Sequence, residues 1–240
     1  MAELLTSGIA PVRLYVERGA LADDVVWDAR DAGVDVRDVV DGGLAKVLDL
    51  VSPRAMVAVA AIRTTELQDL TTAAAEAQRP LLVLVGLADP GNVGTLLRTA
   101  EATGATGVVL TEGSADIFNP KTVRASAGSL FRVPVCQNIE LAEVLSSCAA
   151  SGIPTWATVV SGGLNLEEAD LDGAGALLIG GEAHGLGTGA IEASSVPLSI
   201  PMAGKVESLN AGVAGAVVLF EAARQRRVNG VRSTSRIEPQ

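Results

Sequence analysis

From residue 81 onward the sequence carries six short, nearly unbroken apolar runs, and their spacing limits the fold more than any other feature. They are LLVLVGL (81–87), GVVLTE (107–112), VPVCQ (133–137), TWATVV (155–160), ALLIGG (176–181) and PLSIP (197–201), with helix-like stretches between them. Strands that are apolar on both faces belong to a parallel sheet covered by helices on either side. In such sheets ligands bind outside the carboxyl ends of the strands. The polar clusters of this sequence lie at those ends.

The first 61 residues repeat the alternation on a smaller scale. RLYVE, VDVRDV and MVAVAA alternate with helix-like segments 21–32 and 44–50, which predicts a small α/β unit. Asp23, Asp24, Asp28, Asp31, Asp35, Asp38 and Asp41 give it an acidic face, which reads most simply as a solvated surface. Residues 63–79 lack a clear apolar stripe and are predicted to be a partly helical linker. The expected organisation is therefore a small domain at 1–62, the linker, a second domain at 80–228 and a tail at 229–240.

At 48% hydrophobic residues the chain has ample material for a packed core. A net charge of −10 argues against capture of nucleic acid by an overall positive field, so any such contact must be local. Cys136 and Cys148 form no CxxC pair and the chain has 1 histidine, so neither a zinc site nor a disulfide framework is expected. The opening MAELLTSGIAPVR lacks a basic start and an apolar core, and no apolar run reaches spanning length. A cytoplasmic protein without membrane segments is expected.

Four segments carry the chemistry. In LADPGNVGTLLRTAEATGA a strand ends in Asp89-Pro90-Gly91, a helix starts near Asn92, and Arg98 follows more than one turn later. In DIFNPKTVRASAGSLFRVP (116–134) Lys121, Arg124 and Arg132 surround a helix announced by Asn119-Pro120. Phosphate docking and a solvated basic face account for these bases equally well. In LLIGGEAHGLG (177–187) a glycine-rich turn offers Glu182 and His184, without the spacing of a dinucleotide fingerprint or a phosphate loop. The fourth, IPMAGKVESLNAGVAGAVVLFEAAR (200–224), places Glu207, Ser208 and Asn210 at the opening of a helix rich in small residues. Those small residues imply close approach of backbone to another segment, a ligand, or both.

Together the segments, in this order, resemble the SpoU-type (TrmH-like) RNA ribose 2'-O-methyltransferases of the SPOUT superfamily. The resemblance covers residues 81–227, with DPGNVGTLLRTAEATGA, GGEAHGL and the 200–224 stretch similar to motifs one, two and three. It implies an α/β domain with a parallel sheet and a deep trefoil knot, preceded by a small substrate-binding-like domain; here that domain lacks the family's usual opening helix and strand, so either it is shortened or its recognition has changed. It also implies S-adenosylmethionine as cofactor, RNA as substrate, with ribosomal favoured over transfer RNA, and a homodimer whose protomers build the active site together. Carried across by motif, Gly180, Ile200, Met202 and Leu209 would contact the cofactor. Asn92, Arg98, Glu182, Ser208 and Asn210 would be the catalytic polar set, and Lys121, Arg124 and Arg132 would meet RNA. Where relatives usually carry a valine and a small polar residue, this chain has Ala211 and Gly212.

An arginine is a poor base at neutral pH, so Arg98 is expected to orient the target phosphate, which relays the ribose proton. His184 is expected to be a surface or supporting residue. A non-catalytic RNA- or cofactor-binding protein with the same fold is the competing class. A nicotinamide-dependent oxidoreductase fails for want of its glycine fingerprint.

Overall fold

The computed structural model describes residues 2–9, 11–47, 55–61, 63–182 and 185–234. The chain forms two compact units, Met1–Arg63 and Thr64–Gln240.

In the first unit a short helix α1 (Ala2–Thr6) precedes β1 (Pro11–Glu17), α2 (Asp24–Asp31), β2 (Asp35–Val39), α3 (Gly43–Val47) and β3 (Met56–Ala60). The strands form a three-stranded sheet in the order β2-β1-β3, with β2 parallel and β3 antiparallel to β1. Leu14, Val16, Val26, Ala29 and Val34 make a small core. The acidic face is partly bound to its own unit. Asp35 pairs with Arg13 and Arg37 at 2.7 Å each, and Asp38 with Arg18 at 3.1 Å. The Arg13 hydrogen bond, with Arg37 adding to it, holds the Asp35 carboxyl below its ordinary range.

The second unit opens with α4 (Leu67–Ala77), the helix expected within 63–79, but with a buried stripe that the sequence reading did not find. Leu67, Leu70, Thr71 and Ala74 recur at i, i+3, i+4 and i+7 and are buried. The stripe escapes a sequence reading because half of it is threonine and alanine. Thr71 meets Ser147 at 2.9 Å, so even its hydroxyl is satisfied inside the unit.

There follow β4 (Pro80–Val85), α5 (Pro90–Thr103), β5 (Val108–Thr111), α6 (Pro120–Ala125), β6 (Val135–Ile139), α7 (Leu141–Ala150), β7 (Thr155–Val159) and β8 (Leu164–Asn165). Then come β9 (Gly175–Gly180), α8 (Thr188–Glu192), β10 (Val196–Ser199) and α9 (Ala211–Thr234). Seven strands pair in the order β6-β5-β4-β9-β7-β10-β8, and every pairing is parallel. The short β8 is the one strand the apolar runs did not announce.

Because successive strand residues face opposite sides, the continuous apolar runs feed two cores. Leu82, Leu84, Leu177 and Ile179 pack with Leu96, Leu97 and Ala100 of α5 and with Val218, Leu219 and Ala222 of α9. Leu81, Val83, Ala176 and Leu178 pack with α4 and with Val144 and Cys148 of α7. Two such layers explain why no polar residue interrupts β4.

α9 is longer than expected and runs through Gly230 to Thr234, so the tail predicted at 229–240 is helical at its start. The remainder of that tail lies outside the described residues. Among the described residues no helix is long and apolar enough to cross a membrane.

Candidate active site

Three adjacent strands, β9, β7 and β10, end side by side, and a cavity of about 400 Å³ opens beyond their carboxyl ends. Its lining comes from Thr158 to Val160 at the end of β7, Ile179 to Glu182 at the end of β9, and Ile200 and Met202 after β10. Glu207, Ser208, Leu209, Asn210, Ala211 and Ala214 close it from the α9 side. The volume falls in the range of about 300–1,000 Å³ usual for small-molecule sites.

All four residues predicted to contact a cofactor, Gly180, Ile200, Met202 and Leu209, line this cavity. Gly180 packs so tightly that a Cβ there would overlap the Gly185 carbonyl carbon and the Leu186 nitrogen. That contact shapes the turn after β9 and keeps its backbone at the cavity wall. Glu182, Ser208 and Asn210 of the predicted polar set also line it.

Asn92 reaches the same place from the start of α5. Asp89 caps that helix, accepting from the Gly91 N–H at 2.5 Å and the Asn92 N–H at 3.2 Å, with Pro90 in the first turn. The Gly91 N–H, then that of Asn92, holds the Asp89 carboxyl below its ordinary value. The Asn92 Nδ2 then donates to Glu182 Oε1 at 2.6 Å, joining the first and third chemical segments. Asn210 caps α9, its Oδ1 accepting from the Val213 N–H at 3.2 Å. Glu207 and Ser208 therefore stand in the exposed loop before the helix, not in its first turn.

The small residues of α9 have two neighbours. A Cβ on Gly215 would lie 2.6 Å from Leu96 and 3.3 Å from Ile179, so this turn presses on α5 and β9. One on Gly212 would lie 2.9 Å from Asn92 Oδ1 and 3.1 Å from Asn210 Oδ1. Close approach to other segments accounts for both.

Arg98 is not among the residues that line the cavity. It sits on the exposed side of α5, about 9 Å along the axis from Asn92 at 1.5 Å per residue. Lys121 pairs with Asp89 at 3.3 Å and Arg132 with Glu101, while Arg124 is exposed. The Arg132 bond holds the Glu101 carboxyl below its usual range. His184 lies outside the described residues. Among those described, no group of three or more His, Cys, Asp or Glu side chains is placed to hold a metal ion.

Sequence reasoning missed Thr158, Val159 and Val160, and did not single out Glu207 for the site. The rule that ligands sit at strand ends covered the TWATVV run, but only the strand order brings β7 between β9 and β10.

Fold and site together define an α/β protein with a cofactor-sized cavity at the carboxyl edge of a parallel sheet. The chain belongs to the SpoU rRNA Methylase family, whose pattern matches residues 79–220. It is 38% identical over 206 residues to the 23S rRNA (guanosine-2'-O-)-methyltransferase RlmB of Xylella fastidiosa, covering 85% of this chain and 83% of that one. It is 36% identical over 142 residues to the 23S rRNA (guanosine(2553)-2'-O)-methyltransferase RlmP of Bacillus subtilis. That match covers 59% of this chain and 57% of the Bacillus protein, so just over half of that relative is spanned. Among solved structures, the AdoMet-bound rRNA methyltransferase from Sinorhizobium meliloti superposes with a TM-score of 0.81 at 28% identity. It covers 93% of this chain and 83% of its own.

Proposed function

We propose that the chain transfers a methyl group from S-adenosylmethionine to the 2'-hydroxyl of a ribose in RNA, ribosomal RNA being favoured over transfer RNA. The observation that carries this reading is the convergence of the turn after β9 and the 200–210 loop on one cavity, with Asn92 bonded to Glu182 of its wall. The names of the relatives, both of which act on 23S rRNA, support the choice of substrate.

The cavity fits the cofactor in size, in its apolar walls at Leu198, Ile200 and Leu209, and in the backbone offered at Gly180 and Gly181. S-adenosylmethionine supplies a methyl group already activated on a sulfonium. The chain's own work is then to position the ribose and dispose of its proton, and positioning alone contributes several kcal/mol. Asn92, held by Glu182, with Asn210 close by and Ser208 of the same loop, would orient the ribose and its backbone. Arg98 makes no hydrogen bond or ion pair with the described residues, which leaves it available to a phosphate that relays the proton. Arg124 would add to the RNA contact. Lys121 and Arg132 could join it by exchanging exposed ion pairs, which are worth little.

The same reading includes a trefoil knot and a homodimer. β9 and β10 enter the sheet between strands laid down earlier, and α9 then returns to α5, the path expected of a threaded helix. Val213, Val217 and Phe220 are 49%, 38% and 51% exposed at i, i+4 and i+7 of α9, an apolar stripe that a second copy would cover. α5 packs beside α9, so Arg98 would then serve the partner's cavity. The first unit would bind the RNA substrate, and such a substrate puts the enzyme in the cytoplasm.

The test is methylation of ribosomal RNA from a strain lacking the gene, with a radiolabelled donor and mapping of ribose methylation. One labelled ribose is expected. A purified protein that labels neither ribosomal nor transfer RNA would overturn the reading.

A further inference from the structure

We infer that Glu207 makes the cavity prefer the cationic methyl donor over the neutral thioether left after transfer; this rests on the cofactor reading above. Among the described residues that line the cavity, the charged ones are Glu182 and Glu207, and no lysine or arginine is present. The rest of the described wall is glycine backbone, aliphatic side chains and neutral polar groups, so the formal charges on it are all negative.

The two carboxylates are not equivalent. Glu182 accepts the Asn92 amide at 2.6 Å and is committed to joining α5 to the end of β9. Glu207 stands on the exposed 200–210 loop and makes no hydrogen bond or ion pair with the described residues. Its charge therefore stands at the cavity wall without a partner among the described residues.

Donor and product differ by one methyl group and by one positive charge. Shape discriminates weakly, because a single methyl is worth only about 1–3 kcal/mol even in a close-fitting pocket. Charge acts over several ångströms and is strengthened beside apolar walls such as Ile179, Leu198 and Leu209. Each turnover removes the charge that Glu207 attracts, so the spent product is held less tightly than the donor that replaces it.

The experiment is calorimetric titration of the full chain with S-adenosylmethionine, S-adenosylhomocysteine and sinefungin, whose amine keeps a positive charge near the sulfonium position. The wild type should bind the donor and sinefungin more tightly than the thioether. That preference should shrink as salt shortens the screening length from about 10 Å at 0.1 M to about 3 Å at 1 M. Glu207→Gln should lower the thioether-to-donor Kd ratio about two- to fivefold, the range for one partly screened charge pair, and Glu207→Lys should lower it further. An unchanged ratio in both variants, with all three ligands still bound, overturns this inference alone. A wild type that binds none of them overturns the cofactor reading as well.

Discussion

At its amino end α9 begins beside the cavity, behind an exposed loop in which residues 201–208 are all open to solvent. At its carboxyl end the same helix is tied down on two sides. Gln225 donates to the Ala169 carbonyl at 2.9 Å and accepts from the Leu171 N–H at 2.8 Å. Arg226 donates to the Thr103 carbonyl at 2.7 Å, at the last turn of α5, and Asn229 donates to Asp172 at 2.5 Å. The cation over the carboxyl end of α5 also suits that helix dipole. Burial, with Arg79 and Arg227 nearby, lowers the Arg226 pKa from its ordinary value. The contrast teaches a division of labour within one helix. An anchored end supplies stability that lets the loop before the other end present Glu207 and Ser208 unburied, where they contribute little to folding.

The sharpest way to break this contrast is at the cavity wall. Gly180→Ala should raise the Kd for S-adenosylmethionine by about a hundredfold or more, since the overlap is with backbone and the turn must move. Calorimetry checks it, and near-normal binding would show that the turn after β9 does not form the wall. Next comes Arg98→Ala, expected to reduce turnover by about a hundredfold through lost positioning. Because Arg98 does not line the cavity, donor affinity should change less than about twofold. Parallel loss of binding and turnover would place Arg98 in the cofactor site instead.

At the anchored end, Gln225→Ala leaves the Leu171 N–H and the Ala169 carbonyl without their partner. It should cost about 1–3 kcal/mol in urea unfolding while leaving donor affinity intact at 25 °C. Equal damage to both would mean that the two ends are not separable.

The smallest effect concerns acid. The Arg224 hydrogen bond, with Gln225 helping, holds the Glu221 carboxyl at about 2, below its ordinary 4.5. A depressed folded pKa contributes stability that is present above 4.5 and lost as pH falls toward 2. Glu221→Gln should therefore flatten the decline of the urea midpoint across that interval, modestly, because the Arg224 side chain is 57% exposed. An unaltered decline would show that Glu221 contributes nothing to acid sensitivity.

Strands were the most legible part of the fold. Six of the seven in the larger sheet could be located from apolar runs alone, because burial on both faces leaves no polar residue to blur them. The two-residue β8 has no such run. α4 was read as a partly helical linker because threonine and alanine supply half of its buried stripe, and α9 ran on past its expected end because a single glycine does not stop a helix. In the site, seven of the nine residues carried across by motif line one cavity; Asn92 stands behind its wall, bonded to Glu182, and Arg98 lies outside it, as do the three bases of the 116–134 segment. Motifs name residues, whereas the strand order decides which of them become neighbours.

By itself the sequence determined that a buried parallel sheet would form, which polar segments would stand at its carboxyl ends, and which family the chain belongs to. Those properties are written locally, in apolar periodicity and in short stretches of fixed spacing. Only the tertiary structure decided that β7 lies between β9 and β10, that Asn92 meets Glu182 across 90 positions of chain, and that Glu207 lines the cavity with no partner among the described residues. These depend on contacts between segments far apart in the chain, and no local preference encodes them.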